Sequence, residues 1–103
     1  MRGPVFHRIV KEANDAIIVA EIKPEAGPGF RIIYTNEAFT RIFGYSSEDV
    51  MGRSPRMLQG PETCAETIKE ISSVVHGGSS IRRRLLNYTK AGQPIWVYVN
   101  SRP

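Results

Sequence analysis

Three polar side chains are the chain's candidates for holding a small ligand. Arg56 and Gln59 lie in the short polar turn GRSPRMLQGPET, and Asn87 lies in an apolar segment further along the chain. An arginine and two amides offer hydrogen-bond donors and acceptors but no nucleophile, so the chemistry they predict is non-covalent binding. The alternative for Arg56 and Gln59 is that they cap and solvate the turn. A buried Asn87 needs a partner, which could be a ligand, water or neighbouring backbone.

The residues needed for catalysis or for a metal site are missing from the sequence. Cys64 is the lone cysteine, and the two histidines, His7 and His76, are far apart in the chain. This excludes an intramolecular disulfide and a cysteine-rich metal site. No Ser-His-Asp set, nucleotide-binding glycine loop or paired carboxylates can be assembled. The sequence therefore predicts a non-catalytic domain without a metal.

Size and charge limit the class of protein. A chain of 103 residues, 41% of them hydrophobic, has enough apolar side chains for one core and is too short for two. The net charge of +4 is spread out except at Arg82, Arg83 and Arg84, which alternate faces on a strand, so no nucleic-acid partner is predicted. The longest apolar run, 16–20, is far below the roughly 20 residues that cross a bilayer, and a cytoplasmic location is expected.

The order of the predicted elements indicates an α+β fold. Strands are predicted at 16–22 and 31–35, helices at 37–43, 48–51 and 62–76, and a hairpin at 80–89 and 94–100. Strands that flank a helical middle favour an antiparallel sheet with helices on one face. Alternation places Asn87 on the same side as Ile81 and Leu85, which is expected to be the concave side of the sheet.

The N-terminal residues are predicted to stand apart from the sheet. Between Pro4 and Asn14, apolar residues recur at helical spacing. Residues 1–15 are therefore predicted to form an amphipathic helix that caps the sheet or pairs with a partner helix, which leaves 16–103 as the domain proper.

Two stretches resemble the PAS family of sensory domains. They are YTNEAFTRIFGYSSEDVMGRSPRMLQGPET, from Tyr34 to Thr63, and the later LLNYTKAGQPIWVYV, and the resemblance covers roughly Ala16 to Asn100. It implies an antiparallel sheet of order 2-1-5-4-3 whose final strand is missing here. An open edge is then expected along Pro94 to Asn100 or its neighbour, which another chain could complete.

Within that family, RMLQGP and LLNY are similar to the light-sensing LOV subgroup, which binds flavin mononucleotide (FMN). The resemblance implies that Arg56 contacts the flavin phosphate, that Gln59 lies near the ring and that Asn87 hydrogen-bonds the ring's polar edge. These roles are physically sensible, because arginine forks onto phosphate and an amide matches a heteroaromatic donor and acceptor.

Three departures from the subgroup matter: the first, at Pro55, excludes the light-driven flavin–cysteine adduct, and the other two remove polar contacts to the flavin. The photochemical cysteine of the subgroup aligns with Pro55. Its second phosphate-binding arginine aligns near Ser72, and its second ring-binding asparagine aligns with Val97. Each lost charge-assisted bond costs about 1.5 to 3 kcal/mol. The sequence therefore predicts no bound cofactor, with FMN as the alternative.

The function predicted on this basis is that of a regulatory sensory and dimerisation PAS module in a larger bacterial-type signalling protein. The parent would be a histidine kinase or a cyclic-di-GMP synthase or hydrolase, and the module would act by ligand- or contact-dependent conformational change. A homodimer is expected through the N-terminal helix or through the sheet face that carries Trp96 and Tyr98. The alternative is a flavin or haem chromoprotein, and His76 is a poor axial ligand for a haem.

Overall fold

An antiparallel sheet of five strands, packed on one face by short helices, forms the fold. The computed structural model describes residues 6–10, 16–22 and 29–102. The strands are β1 Phe6–Val10, β2 Ile17–Ile22, β3 Phe30–Thr35, β4 Ile81–Tyr88 and β5 Pro94–Arg102; the helices are α1 Glu37–Phe43, α2 Ser47–Val50 and α3 Ala65–His76, with a 3₁₀ helix at Pro55–Leu58. The predicted α+β class is confirmed.

The core lies between the sheet and the helices. Sheet residues such as Ile18, Ile32 and Val97 are almost completely buried, and they cluster with Phe39 of α1 and Val75 of α3. Burying these apolar side chains is the main source of the fold's stability. No helix in the described part of the chain is long and apolar enough to span a membrane.

The strand order corrects the prediction for the N-terminus. The sheet runs β3-β2-β1-β5-β4, and β1 is antiparallel to both neighbours, with Ile9 opposite Ile18 of β2 and Val99 of β5. The predicted amphipathic helix is therefore wrong for Phe6–Val10, and its remaining residues lie outside those described. An isolated short helix is marginal in water, whereas a strand at this place can pair with the backbones of two neighbours.

β1 also changes the expectation of an open edge. The order 2-1-5-4-3 places the last strand between the first and fourth of the predicted strands, and β1 occupies that position. It pairs with Tyr98–Arg102 of β5, so the predicted open edge is wrong for that part of the strand.

The first helix begins and ends where the sequence predicts, whereas α2 begins and ends one residue before the predicted range 48–51. Asn36 caps α1, because its Oδ1 accepts hydrogen bonds from the backbone N–H groups of Phe39 and Ile17, each at 2.9 Å. The second of these bonds joins the cap to β2. Gly44 ends the helix in the left-handed region, with φ of 85°. Ser46 starts α2 with a capping box.

The polar turn after α2 folds as a 3₁₀ helix attached to the sheet edge. At that edge of β3, the N–H of Gly52 donates to the carbonyl of Ile32 and the N–H of Ile32 donates to the carbonyl of Arg53, both at 2.8 Å. The hydroxyl of Ser54 then caps the 3₁₀ helix by accepting from the N–H of Arg56. Leu58 is completely buried and anchors the helix in the core.

The predicted alternation along the last hairpin is confirmed. Asn87 and Leu85 are buried on the helix side. On the opposite face, the guanidinium of Arg82 lies 4.3 Å from the centre of the Tyr98 ring, and that of Arg84 lies 4.5 Å from that of Trp96.

Candidate functional site: a cavity between the sheet and helix α3

A cavity of about 480 Å³ lies between the inner face of the sheet and α3. This volume is within the range of roughly 300 to 1,000 Å³ that is typical of small-molecule sites. The hairpin contributes Leu85, Asn87 and Val99, and the 3₁₀ helix and its flanks contribute Ser54, Pro55, Arg56 and Gln59. The fold therefore brings all three predicted ligand-binding residues to one cavity.

Asn87 is the most informative residue of the site. Its side chain is 1% exposed, and its Nδ2 donates a long hydrogen bond of 3.4 Å to the carbonyl of Leu86. The amide cannot be turned to pair Oδ1 with that carbonyl, because both are acceptors. Among the described residues Oδ1 has no partner. A buried acceptor left unpaired costs about 1 to 3 kcal/mol, so this atom suits a site where a ligand supplies a donor.

Arg56 and Gln59 border the same cavity from the 3₁₀ helix. Arg56 is exposed and Gln59 is half-buried. The cap of this helix is the hydroxyl of Ser54, so the turn does not use either side chain as its N-cap. This observation favours the ligand-lining interpretation over the capping one, although the roles of the two residues remain predictions.

Helix α3 contributes four polar residues that the sequence analysis did not assign to the ligand site. Lys69, Ser72, Ser73 and His76 all border the cavity. They recur at i, i+3, i+4 and i+7, the spacing of one helix face, so a search for a polar stripe beside Ile68 and Ile71 could have found them.

His76 borders the cavity at the end of α3. Its Nδ1 lies 2.8 Å from the carbonyl oxygen of Ser72, and its ring centre lies 5.4 Å from that of Phe30. Because Nδ1 is engaged by the helix backbone, the ring has a fixed direction against Phe30. Arg56 and Lys69 add two cationic side chains to the cavity lining.

Of the three positions that differ from the LOV subgroup, two border the cavity and one does not. Pro55 and Ser72 border it, so the lining has a proline and a serine where the resemblance expects a thiol and an arginine. Val97 is 2% exposed and belongs to the core, while Val99 borders the cavity.

The chain's cysteine lies outside the cavity. Cys64 is exposed before the first residue of α3 and is not part of the lining. Hydrogen bonds from the side chain of Thr67 and from the backbone of Thr67 and Glu66 lower the pKa of its thiol. Within the described residues, no group of three histidine, cysteine or acidic side chains could hold a metal ion.

Comparison with known proteins places this geometry in a family. A family model described as "PAS domain" matches residues 14–103. Phototropin-2 of Oryza sativa subsp. japonica is 37% identical over 100 residues, which cover 93% of this chain and 11% of the relative. A blue-light-activated histidine kinase of Brucella anthropi is 36% identical over 100 residues, which cover 90% of this chain and 20% of the relative. The chain thus spans a small part of each relative's length.

The fold agrees with the sequence matches. The light-state structure of the Aureochrome1 LOV photoreceptor superposes with a TM-score of 0.64 at 24% identity, over 92% of this chain and 77% of that one. PAS domains are sensory modules, which agrees with the non-catalytic character predicted from the sequence. The chain belongs to the PAS family, and its relatives are LOV domains of blue-light receptors and histidine kinases.

Proposed function

We propose that this domain senses a small ligand, held without a covalent bond in the cavity between the sheet and α3. The unpaired Oδ1 of Asn87 carries the proposal, because a buried acceptor that borders a cavity of about 480 Å³ is best satisfied by a donor on a bound molecule. Arg56 and Gln59 border the same space and add a cation and a second amide. The ligand would act by stabilising one packing of the sheet and helices over another.

The proposed parent is a larger cytoplasmic signalling protein of bacterial type. Histidine kinases activated by blue light, from Brucella anthropi and Rhizobium johnstonii, are 36% and 34% identical to the matched part of this chain. These names support an effector domain in the same polypeptide. We infer that this effector is a histidine kinase or a cyclic-di-GMP synthase or hydrolase.

FMN is the first ligand to test, because the residues of the cavity fit its parts. Its ring system has donors and acceptors for Asn87 and Gln59, and its phosphate suits the guanidinium of Arg56. Lys69 offers a second cation in place of the arginine that the resemblance expects near Ser72. When bound, FMN would supply absorption of blue light. The lining contains no thiol with which the flavin could form a bond.

Titration of the purified protein with FMN and with riboflavin tests this proposal. We expect bound FMN to show an absorption band in the blue. Because the lining has no thiol to bond the flavin, this band should return immediately after illumination with blue light. Arg56→Ala should weaken FMN binding about tenfold or more, the equivalent of one charge-assisted hydrogen bond, and should leave riboflavin binding nearly unchanged because riboflavin lacks the phosphate. If the protein binds neither flavin and shows no Soret band, which is the absorption band of a bound haem, then the flavin and haem chromoproteins are ruled out. Equal losses for both flavins would contradict the role of Arg56.

We further propose that two copies of the domain pair through the outer face of the sheet. Trp96 is 54% exposed on that face, beside the half-buried Tyr98. An exposed aromatic surface of this kind is typical of interaction sites.

Trp96→Glu is expected to convert the dimer to a monomer, because the substitution places a charge in a contact that must lose its water. The molecular mass in solution, measured by light scattering, reports the change. Met51→Glu is the matched control, since Met51 is 42% exposed and lies after α2. The same mass for the wild type and both variants would contradict a sheet-face dimer.

A further inference from the structure

A chain of hydrogen bonds runs from the backbone of Gly60, the residue after Gln59, to the side-chain amide of Asn87. Gln59 is followed by Gly60, whose N–H donates to the hydroxyl of Thr63 at 3.0 Å. That hydroxyl donates to the carbonyl of Leu86 at 2.8 Å. The same carbonyl accepts the 3.4 Å hydrogen bond from Nδ2 of Asn87. Thr63 therefore joins the residue after the 3₁₀ helix's C-cap to the carbonyl of Leu86, which also accepts the hydrogen bond from the buried amide of Asn87.

A second hydrogen bond holds the same turn, and it shares no donor or acceptor atom with this chain of bonds. The hydroxyl of Tyr88 accepts from the N–H of Glu62 at 3.0 Å. Gly60 lies close against the Tyr88 ring, since a Cβ at this position would clash with the ring carbon Cδ1. The turn is thus attached to β4 twice, and only the attachment through Thr63 reaches the acceptor shared with Asn87.

The lengths of the bonds show how Thr63 can direct Asn87. A carbonyl oxygen has two lone pairs, so Leu86 can accept from both donors at once. The bond from Thr63 is short and the bond from Asn87 is long, which leaves the Asn87 amide only weakly held by the backbone. A carbonyl that already accepts the short bond from Thr63 attracts a second donor less strongly, so without that hydroxyl the Asn87 amide would move closer to the carbonyl. The N–H of Gly60 would also lose its acceptor, which would loosen the residue that follows Gln59.

We propose that Thr63 is a positioning residue of the ligand site. From outside the cavity, its hydroxyl keeps the Asn87 amide available to a ligand and fixes the end of the 3₁₀ helix beside Gln59. This inference rests on the proposed ligand-binding function of the cavity.

Three variants test the inference with FMN as the probe. Thr63→Val keeps the shape of the side chain and removes the hydroxyl, and we expect it to weaken FMN binding about fivefold to tenfold, the equivalent of one hydrogen bond. Thr63→Ser keeps the hydroxyl and should restore binding to within about twofold. Tyr88→Phe removes the other hydrogen bond from the same turn to the same strand, so it should lower the melting temperature to a similar extent while leaving FMN affinity unchanged.

A measurement without ligand separates this inference from the proposed function. In two-dimensional ¹H–¹⁵N NMR spectra, the side-chain NH₂ signal of Asn87 should shift in Thr63→Val and keep its position in Tyr88→Phe. The signal is assigned by its absence from the spectrum of Asn87→Leu. If the wild type binds FMN and the Thr63→Val and Tyr88→Phe variants bind it equally well, the positioning role is overturned and the proposed function stands. If the wild type binds no FMN, an unshifted Asn87 signal in Thr63→Val overturns the inference. A shift confined to that variant supports it, even though flavin binding has failed.

Discussion

Replacing Asn87 by leucine is expected to stabilise the ligand-free domain and to weaken its binding of ligand. The substitution removes an acceptor that has no partner among the described residues and adds an apolar group of similar shape beside Leu85 and Val99. A gain of about 1 to 2 kcal/mol in the free energy of unfolding is expected, which urea denaturation measures. The same variant should bind FMN at least tenfold more weakly, because the flavin ring loses the buried Asn87 amide as a hydrogen-bond partner.

The matched control is the same substitution on the other face of the sheet. Asn100 is half-buried on β5, where alternation places it with Trp96 and Tyr98. Asn100→Leu should change neither the FMN affinity nor the stability by more than about 0.5 kcal/mol. A clear loss of stability in Asn87→Leu would mean that the amide is well paired in the folded protein, and the cavity would then lose its principal evidence for a ligand.

Local signals in the sequence predict most of the fold. Asn36 and Gly44 mark the two ends of α1, because a cap side chain and a left-handed glycine are encoded within a few residues of the helix. Alternation along β4 likewise places Leu85 and Asn87 on the same face, since residues two apart in a strand point to the same side.

The two errors about the sheet share a cause. The residues Phe6–Val10 have apolar side chains at a spacing that also suits a helix, and five residues are too few to tell the periods apart. Their conformation is decided by β2 and β5, whose backbones flank the central position of the sheet. A pairing between β1 and a strand some ninety residues later leaves no local signal.

The candidate site was predictable only in part, because it also depends on contacts between segments that are far apart in the sequence. Arg56, Gln59 and Asn87 stand out from the sequence through a resemblance, and alternation places Asn87 on the correct face. Lys69 and Ser72 look like the solvated side of an amphipathic helix, which is the more common role of such residues. Only the distance between α3 and the hairpin shows that this side borders a cavity.

Ile9→Pro is expected to unfold most of the domain, because β1 is the central strand of the sheet. Each residue of β1 lies between β2 and β5. A proline has no backbone N–H, so it removes a hydrogen bond from the ladder with one of these two neighbours. The cost of about 3 kcal/mol or more is a large part of the 5 to 15 kcal/mol that stabilises a typical domain. Circular dichroism and urea denaturation of the full chain measure the loss. The matched control is Ile33→Pro, at the irregularity of the edge strand β3, where a proline is better tolerated. If Ile9→Pro were the milder of the two substitutions, the N-terminal residues would lie outside the sheet, and the order β3-β2-β1-β5-β4 would not hold in solution.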